Sequence, residues 1–237
     1  MTEIATEPQT RPLSETARTR VTRKKHRAHT ERAALHEVLD QALVCHLGLV
    51  RDGYPVVLPT GFGRAGETLY LHGSTGARNL MEAADGIEVC VTVTLLDGIV
   101  YSRSVNDHSM NYRSAVVYGT ARPVNEREAK LRGLRALTEH LAPGSWEHAR
   151  EVNPKELAAV SVLSLDLAEA SVKIRSGGPG DDPAEAAGSR AWAGVLPIHT
   201  SFGAPIPAPD LDTAITTPAH ISGRRYQSRT GPSTGSR

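Results

Sequence analysis

Residues in short supply exclude several kinds of protein. The chain of 237 residues has 2 cysteines, 4% aromatic residues, and 27 basic residues against 26 acidic ones. Two cysteines argue against a disulfide framework, and the apolar runs around Cys45 and Cys90 predict buried free thiols. A net charge of +1 gives no reason to expect a nucleic acid as partner.

Long apolar segments are also missing. No run approaches the roughly 20 apolar residues that cross a bilayer, and the first 20 residues lack the apolar core of a secretory signal. We therefore expect a cytoplasmic protein with no membrane partner. The basic run RKKHR at 23–27 fits a solvated lead-in to a helix better than a phosphate or nucleic-acid patch.

The hydrophobic share of the chain, 39%, is enough for one sizeable core. Residues 23–211 are predicted to form a single domain. The segments 1–22 and 212–237 are polar and show no periodicity, so we expect both to be disordered tails.

Short strand-like segments separated by turn residues fill the first half of the domain. A helix capped by Thr30 and ending near Gln41 is expected first. Asp52–Gly53 is a two-residue hairpin signal. The expected strands are 43–50, 54–61 and 67–72. This order predicts an antiparallel barrel and not a parallel α/β sheet.

The second half of the domain is predicted to hold the longest strands. Residues 87–96 read as a core strand buried on both faces and ended by a turn at Asp97–Gly98. Residues 112–124 are rich in β-branched and aromatic residues and predict a long strand behind a polar loop. Residues 159–174 are expected to form the last strand, with a break near Ala168.

Two helices are expected between these last strands, capped by Asn125 and Asn153. Residues 192–211, WAGVLPIHTSFGAPIPAPDL, combine an aromatic residue with turn residues and prolines. We expect this segment to cover another surface without forming a regular element.

Glycines at 61, 63 and 66 spell G-x-G-x-x-G, a pattern found in dinucleotide-binding folds. That motif must lead from a strand into a helix. Here it leads into ETLYLHG, which alternates like a strand. A glycine-rich hairpin loop is the better interpretation. The histidines show no zinc spacing, and no nucleophile elbow or phosphate-binding loop is found.

The segment HGSTGARN at 72–79 has the residue types of a monophosphate site. Small residues let the backbone approach a phosphate, Ser74 and Thr75 offer hydroxyls, and Arg78 offers a fixed positive fork at an expected helix start. A capped strand-to-helix turn would explain the same residues. From the residues alone the two interpretations are evenly matched.

Three motifs in order resemble the FMN-binding split barrels of the pyridoxamine 5′-phosphate oxidase superfamily, in particular its nitroimidazole-reductase-type flavoproteins. They are LYLHGSTGARNLM at 69–81, NYRSAVVYGTARPV at 111–124, and VKIRSGGP at 172–179 with the segment at 192–211. The resemblance implies a mainly β fold with flanking helices, a six-stranded antiparallel split β-barrel. It also implies a homodimer with FMN at the subunit interface.

The resemblance also implies which residues hold FMN. Ser74, Thr75, Arg78 and Asn79 would surround the phosphate, with His72 pointing toward the flavin. Along the isoalloxazine and its ribityl chain would lie Asn111, Tyr112, Arg113 and Ser114. Because strand residues alternate, only one of Arg113 and Ser114 can face the ring. Trp192 would reach the flavin held mainly by the neighbouring subunit.

Several functions fit this picture. The first is an FMN-dependent oxidoreductase that reduces a small electrophile such as a nitroaromatic or a quinone, with no catalytic residue assigned. Vitamin B6 oxidation is doubtful, because the Arg-x-His that handles that substrate has no counterpart near the C-terminus. A flavin store or redox sensor without turnover is a second hypothesis. A related barrel that uses deazaflavin F420 or haem is a third.

Overall fold

The computed structural model describes residues 12–73 and 86–226, and its ten strands form one antiparallel sheet. The strands are β1 Ala28–His29, β2 Cys45–Arg51, β3 Tyr54–Thr60, β4 Phe62–Ala65, β5 Thr68–Gly73, β6 Ile87–Tyr101, β7 Ser109–Pro123, β8 Ser161–Asp166, β9 Glu169–Arg175 and β10 Gly194–Pro197. The helices are α1 Arg32–Gln41, α2 Arg127–Leu141, α3 Ser145–His148, α4 Pro154–Ala159, α5 Pro183–Ala186 and α6 Ala219–Ser222.

The sheet curls into an open barrel. Its main path is β3-β2-β6-β7-β8-β5-β4, and β9 with β1 extends from β7 while β10 pairs with the end of β6. Within the described residues the two end strands, β3 and β4, do not pair with each other, so the barrel stays split. The predicted mainly β split barrel is confirmed, with short strands added to the six expected.

The hairpin of β6 and β7 is the spine of this barrel. Each strand has 15 residues, and their pairing runs from Ile87 opposite Ala121 to Val100 opposite Ser109. Asp97–Gly98 makes a bulge inside β6 and not the predicted turn. The strand continues past it because β7 on one side and β10 on the other satisfy its backbone groups.

The sheet has one buried face and one face that lies at the surface of the chain. The buried face carries the apolar core, including Leu47, Val91, Val93 and Val117. On the other side of β6, Leu96 is 41% exposed. The prediction that β6 is buried on both faces is therefore wrong for the isolated chain. We call this exposed side of β2, β3, β6, β7 and β9 the outer face.

The helices close the ends of the barrel. Leu35, Val38 and Leu39 of α1 are fully buried, as the helical spacing predicts. The Thr30 cap is wrong, because Glu31 occupies the cap position without a side-chain bond. Arg32 starts the helix instead, paired with Glu67 and bonded to the Leu167 carbonyl.

Of the two N-caps predicted for the later helices, the cap at Asn125 is wrong and the cap at Asn153 is confirmed. Glu126, and not Asn125, caps α2, because its carboxylate accepts bonds from the backbone N–H groups of Glu128 and Ala129 at 2.8 and 2.6 Å. At α4 the predicted Asn153 cap is present, and it forms a capping box in which Asn153 and Glu156 each accept from the other's backbone N–H.

Glycines allow the β2–β3 and β4–β5 hairpin turns and a close contact between β4 and α2. Asp52 and Gly53 both have positive φ, 51° and 81°, as a type I′ hairpin requires. The G-x-G-x-x-G pattern is confirmed as a hairpin, β4–β5. A Cβ added to Gly63 would lie 2.5 Å from the Ala136 carbonyl oxygen, so this glycine lets β4 touch α2.

Both predicted tails depart from expectation where they are described. In residues 12–22, Leu13 is buried and donates its backbone N–H to the Thr30 carbonyl at 2.7 Å, and Thr19 is buried. In residues 212–226, α6 packs its His220 ring beside Gly144. The segment 192–211 contains β10, so the expectation that it forms no regular element is wrong. Its prolines and turn residues had argued against a strand. No helix in the described chain is long and apolar enough to cross a membrane.

Candidate functional site

The structure describes six of the ten predicted flavin residues. Ser74, Thr75, Arg78 and Asn79 lie outside the described residues, so their role stays a prediction. His72 is exposed at the end of β5, where it pairs with Val162 of β8. Asn111, Tyr112, Arg113 and Ser114 lie near the start of β7, and Trp192 precedes β10.

The described site residues fall at two opposite ends of the barrel. Both ends of the segment 74–85 attach near the C-terminal end of β7. Gly86 lies against Ala121, and Gly73 pairs with Ser161 next to the strand contact of Val162 with Val124. Ser114 lies seven residues back along β7 from Ala121, a path of roughly 23 Å at strand spacing. One chain therefore does not bring His72 and Ser114 together.

Arg113 points into the barrel and is 3% exposed. Its guanidinium donates two bonds to the Asp97 carboxylate, at 2.9 and 2.8 Å, and a third to the side-chain oxygen of Gln41 in α1. The pKa of Arg113 lies above its usual value, and the bonds to Asp97 are the main cause. Arg113 therefore joins β7, the β6 bulge and α1.

Ser114 lies on the outer face, half-buried, and donates to the Lys173 carbonyl at 3.3 Å. Of the two neighbours, Ser114 is the one that a ligand on the outer face can reach. Tyr112 shares this face and lies opposite Arg175 of β9. The alternation expected along the strand is thus present.

Asn111 is 9% exposed and is held by the chain that follows β9. Its amide nitrogen donates to the Gly177 carbonyl at 3.1 Å, and its oxygen accepts from Arg175. Arg175 also donates to the Gly178 carbonyl at 3.0 Å. This network fixes the entrance of the loop that leads to Trp192.

Trp192 is 67% exposed, yet its ring is held on two sides. Its ring centroid lies 5.7 Å from that of Tyr101 in an edge contact, and Tyr101 in turn contacts His108 at 5.9 Å. On the other side the ring covers Gly194, where an added Cβ would lie 2.8 Å from it. An exposed aromatic ring in a fixed pose is suited to stack on a planar ligand.

Asp181 fixes the loop after β9, a role that no motif in the sequence predicts. Its carboxylate accepts bonds from the Ser102 hydroxyl, from the Arg103 backbone N–H at 3.1 Å and from the Arg103 guanidinium at 2.6 Å. The Ser102 bond is the main reason that the pKa of Asp181 lies below its usual value. Because Asp181 and Ser102 are 79 residues apart, no local pattern could reveal the contact.

Cysteine and metal chemistry have little support in the described chain. Cys45 is buried, as predicted, and burial raises the pKa of its thiol to about 12. Cys90 is only half-buried because it lies on the outer face. Among residues 12–73 and 86–226, no group of three His, Cys, Asp or Glu side chains is arranged to hold a metal ion.

The family profile described as pyridoxamine 5′-phosphate oxidase matches residues 31–174, more than half of the chain. The chain belongs to the pyridoxamine 5′-phosphate oxidase family. This confirms the resemblance drawn from the three motifs and makes the chain a member of a flavin-binding family. No curated protein matches the sequence.

Solved structures of this family extend the comparison. The flavocytochrome Anf3 from Azotobacter vinelandii is 37% identical with a TM-score of 0.82, over 89% of this chain and 97% of that one. An FAD- and heme-binding protein from Mycobacterium smegmatis is 40% identical with a TM-score of 0.78, over 83% of this chain and 96% of its own.

A more distant structure shares the fold. A protein from Bacteroides thetaiotaomicron named for 5-nitroimidazole antibiotic resistance is 23% identical with a TM-score of 0.53, over 62% of this chain and 86% of that one. At this identity the likeness concerns the fold alone.

Proposed function

We propose that this chain is a flavin-binding redox protein that also holds a haem. The observation that carries the proposal is the similarity, at 37% and 40% identity, to a flavocytochrome and to an FAD- and heme-binding protein. The match spans 97% and 96% of those chains, which supports carrying both cofactors over as a proposal.

The flavin predicted from the sequence is FMN, whereas the similarity to an FAD- and heme-binding protein favours FAD. Both flavins contain the isoalloxazine, the ribityl chain and the first phosphate. The predicted residues Ser74, Thr75, Arg78 and Asn79 would serve that phosphate in either case. The outer-face residues Tyr112 and Ser114, with Trp192, would lie along the ring.

Histidine is one of the side chains that hold haem iron, through an imidazole nitrogen that no other group occupies. Among the described residues, His46 fits this need. It stands exposed on the outer face of β2, between Pro59 of β3 and Thr92 of β6, and its imidazole makes no hydrogen bond or ion pair with the described residues. Val44 and Val57 nearby are 51% and 63% exposed. His46 would hold the haem iron, and the haem would supply one-electron chemistry.

His72 is the second exposed histidine that fits an axial role. It lies at the end of β5 beside the predicted phosphate segment. Two other histidines of the described chain, His108 and His140, already contact the backbone through a ring nitrogen. His108 accepts a bond from the Ser102 backbone N–H at 2.9 Å, and His140 contacts the Ala42 carbonyl at 2.6 Å.

The working form is proposed to be a homodimer. In one chain, His72 and the anchors of segment 74–85 lie at the opposite end of β7 from Ser114 and Trp192, so the predicted flavin site is incomplete. A second copy placed antiparallel on the outer face would supply the missing half. The exposed apolar residues Val50, Val57 and Leu96 on that face support such pairing.

The proposed activity is transfer of electrons from the flavin to a small electrophile, such as a nitroaromatic or a quinone. In this scheme the described residues bind, orient and cover the cofactors. Trp192 and Tyr101 would exclude water from one side of the flavin ring. The predicted cytoplasmic location is compatible with this role and stays a prediction.

The experiment that tests the proposal is an absorption spectrum of the purified protein, followed by release and identification of the chromophores. Flavin bands together with a Soret band are expected, in a protein that elutes as a dimer. His46→Ala should lose the Soret band, whereas His199→Ala, at an exposed position after β10, should retain it. A protein that takes up neither added flavin nor added haem would contradict the proposal.

A further inference from the structure

Three basic residues lie at or beside the end of β9, and none of them has an acidic partner within the described part of the chain. Lys173 lies across from Ser114 and Arg175 across from Tyr112, both on the outer face. Arg27 ends the short 3-10 helix Lys25–Arg27, which leads into β1, where Ala28 lies opposite Lys173. Among residues 12–73 and 86–226, no carboxylate lies within 4.0 Å of any of these three side chains.

Arg175 is close enough to Arg27 for their charges to act on each other, and Lys173 lies two residues before Arg175 on the same face of β9. Arg175 is bonded to uncharged oxygens only, those of Asn111, Gly177 and Gly178. Burial, and next to it the charge of Arg27, lowers the pKa of Arg175 below its usual value. Like charges brought together in this way cost free energy, which an anion bound between them would recover.

Arg27 provides a second, independent indication that an anion binds here. Its Nε atom is buried and has no hydrogen-bond partner. A buried donor without a partner is unusual in folded chains and calls for an acceptor. The nearest acid in the loop that follows β9, Asp181, is already paired with Ser102 and Arg103.

We propose that Arg27, Lys173 and Arg175 bind the second phosphate in the diphosphate of a dinucleotide, the phosphate that FMN lacks. This inference rests on the proposed flavin function, since the site adjoins Ser114 and Tyr112, the predicted ring residues. A diphosphate carries paired anionic oxygens, which match guanidinium forks and a lysine ammonium. The site would explain a preference for FAD over FMN, because FMN has no diphosphate. NADPH carries the same group and would be the other source.

The test compares Lys173→Gln, Arg27→Gln and the double variant with the wild type. Lys155→Gln, an exposed lysine on α4, serves as a control with the same charge change. Binding of inorganic pyrophosphate to the flavin-free protein is measured by calorimetry at two salt concentrations. Each single variant should weaken binding about tenfold, the scale of one charge-assisted bond, and the control should not.

FAD, FMN and NADPH are then titrated separately. If the variants lose affinity about tenfold for FAD or for NADPH, while their affinity for FMN changes less than about twofold, the site is supported. The dinucleotide whose affinity falls is then the ligand of the site. Equal losses for FAD and FMN would overturn the diphosphate assignment, as would a wild type that does not bind pyrophosphate. If the protein binds pyrophosphate but takes up no flavin, the anion site is supported and the proposed flavin function is contradicted. Failure of the site and failure of the proposed function therefore give different results.

Discussion

Arg113 and Ser114 are neighbours in β7, and their side chains point to opposite faces of the sheet. The Arg113 guanidinium is buried against Asp97 and Gln41, whereas the Ser114 hydroxyl lies on the outer face beside Lys173. The first residue therefore belongs to the fold and the second to the proposed ligand surface.

Substituting Arg113 and Ser114 one at a time should separate an effect on folding stability from an effect on flavin binding. Arg113→Met leaves Asp97 without its partner, and we expect a loss of about 2 kcal/mol in unfolding free energy. That is less than for a fully buried pair, because Asp97 is partly reached by water. Ser114→Ala should change stability by less than about 0.5 kcal/mol and weaken flavin binding. Urea unfolding and flavin titration measure the two effects, and a stable Arg113→Met protein would contradict this division.

Gly63 should tolerate no side chain. Gly63→Ala places a Cβ 2.5 Å from the Ala136 carbonyl oxygen, so α2 must move away from β4. We expect a loss of about 1–3 kcal/mol, the usual cost of overpacking. Gly61→Ala, two residues earlier and with open space around its Cβ, is the matched control for thermal unfolding. Equal melting temperatures for the two variants would mean that the contact is not tight.

These residues also show what the sequence could and could not reveal. The hairpin at Asp52–Gly53 and the helix cap at Asn153 depend on neighbours in sequence, and both are present as predicted. The caps at Thr30 and Asn125 were wrong, because an acidic residue one position later took the capping place. The preference of a residue type for the cap position predicts a helix start only where tertiary contacts do not favour a neighbouring residue.

The predicted site shows the same limit. The motifs identified the strand end at His72, the start of β7 and Trp192, since each has its own residue pattern. The pairing of Asp97 with Arg113 and the clamp of Asp181 on Ser102 join distant segments and leave no local pattern. Asp97–Gly98 was read as a turn because a bulge and a turn favour the same residues.

His140 should make stability depend on pH. Burial lowers the pKa of this histidine below its usual value, although its contact with the Ala42 carbonyl acts the other way. The folded chain therefore takes up its proton less readily than the unfolded chain. Its stabilisation is complete above about pH 6.5 and is lost as the pH falls below that value.

The variant His140→Gln removes this titration and can still donate to the Ala42 carbonyl. We expect its unfolding free energy to fall less than that of the wild type between pH 7 and pH 5. Guanidinium unfolding at several pH values measures the difference. His199→Gln, at an exposed position, should keep the wild-type slope; identical slopes for all three proteins would show that His140 is not the titrating group.

Gly194 should control the pose of Trp192. An added methyl group would lie 2.8 Å from the Trp192 ring, so Gly194→Ala should displace the ring from Tyr101. In a Trp146→Phe background, we expect a weaker near-ultraviolet circular dichroism band and weaker flavin binding. Gly203→Ala, in open space within the same segment, should change neither. An unchanged band in Gly194→Ala would show that the ring does not rest on this glycine.

The separation of the two half-sites along β7 has a consequence for mixtures of variants. Under the proposed antiparallel pairing, each cofactor site takes one half from each subunit. A chain altered at Ser114 and a chain altered at His72 would each form defective dimers alone. A mixed dimer of the two would carry one site with both defects and one site with none. Binding capacity would therefore return on mixing two inactive proteins, which is genetic complementation within a single gene product.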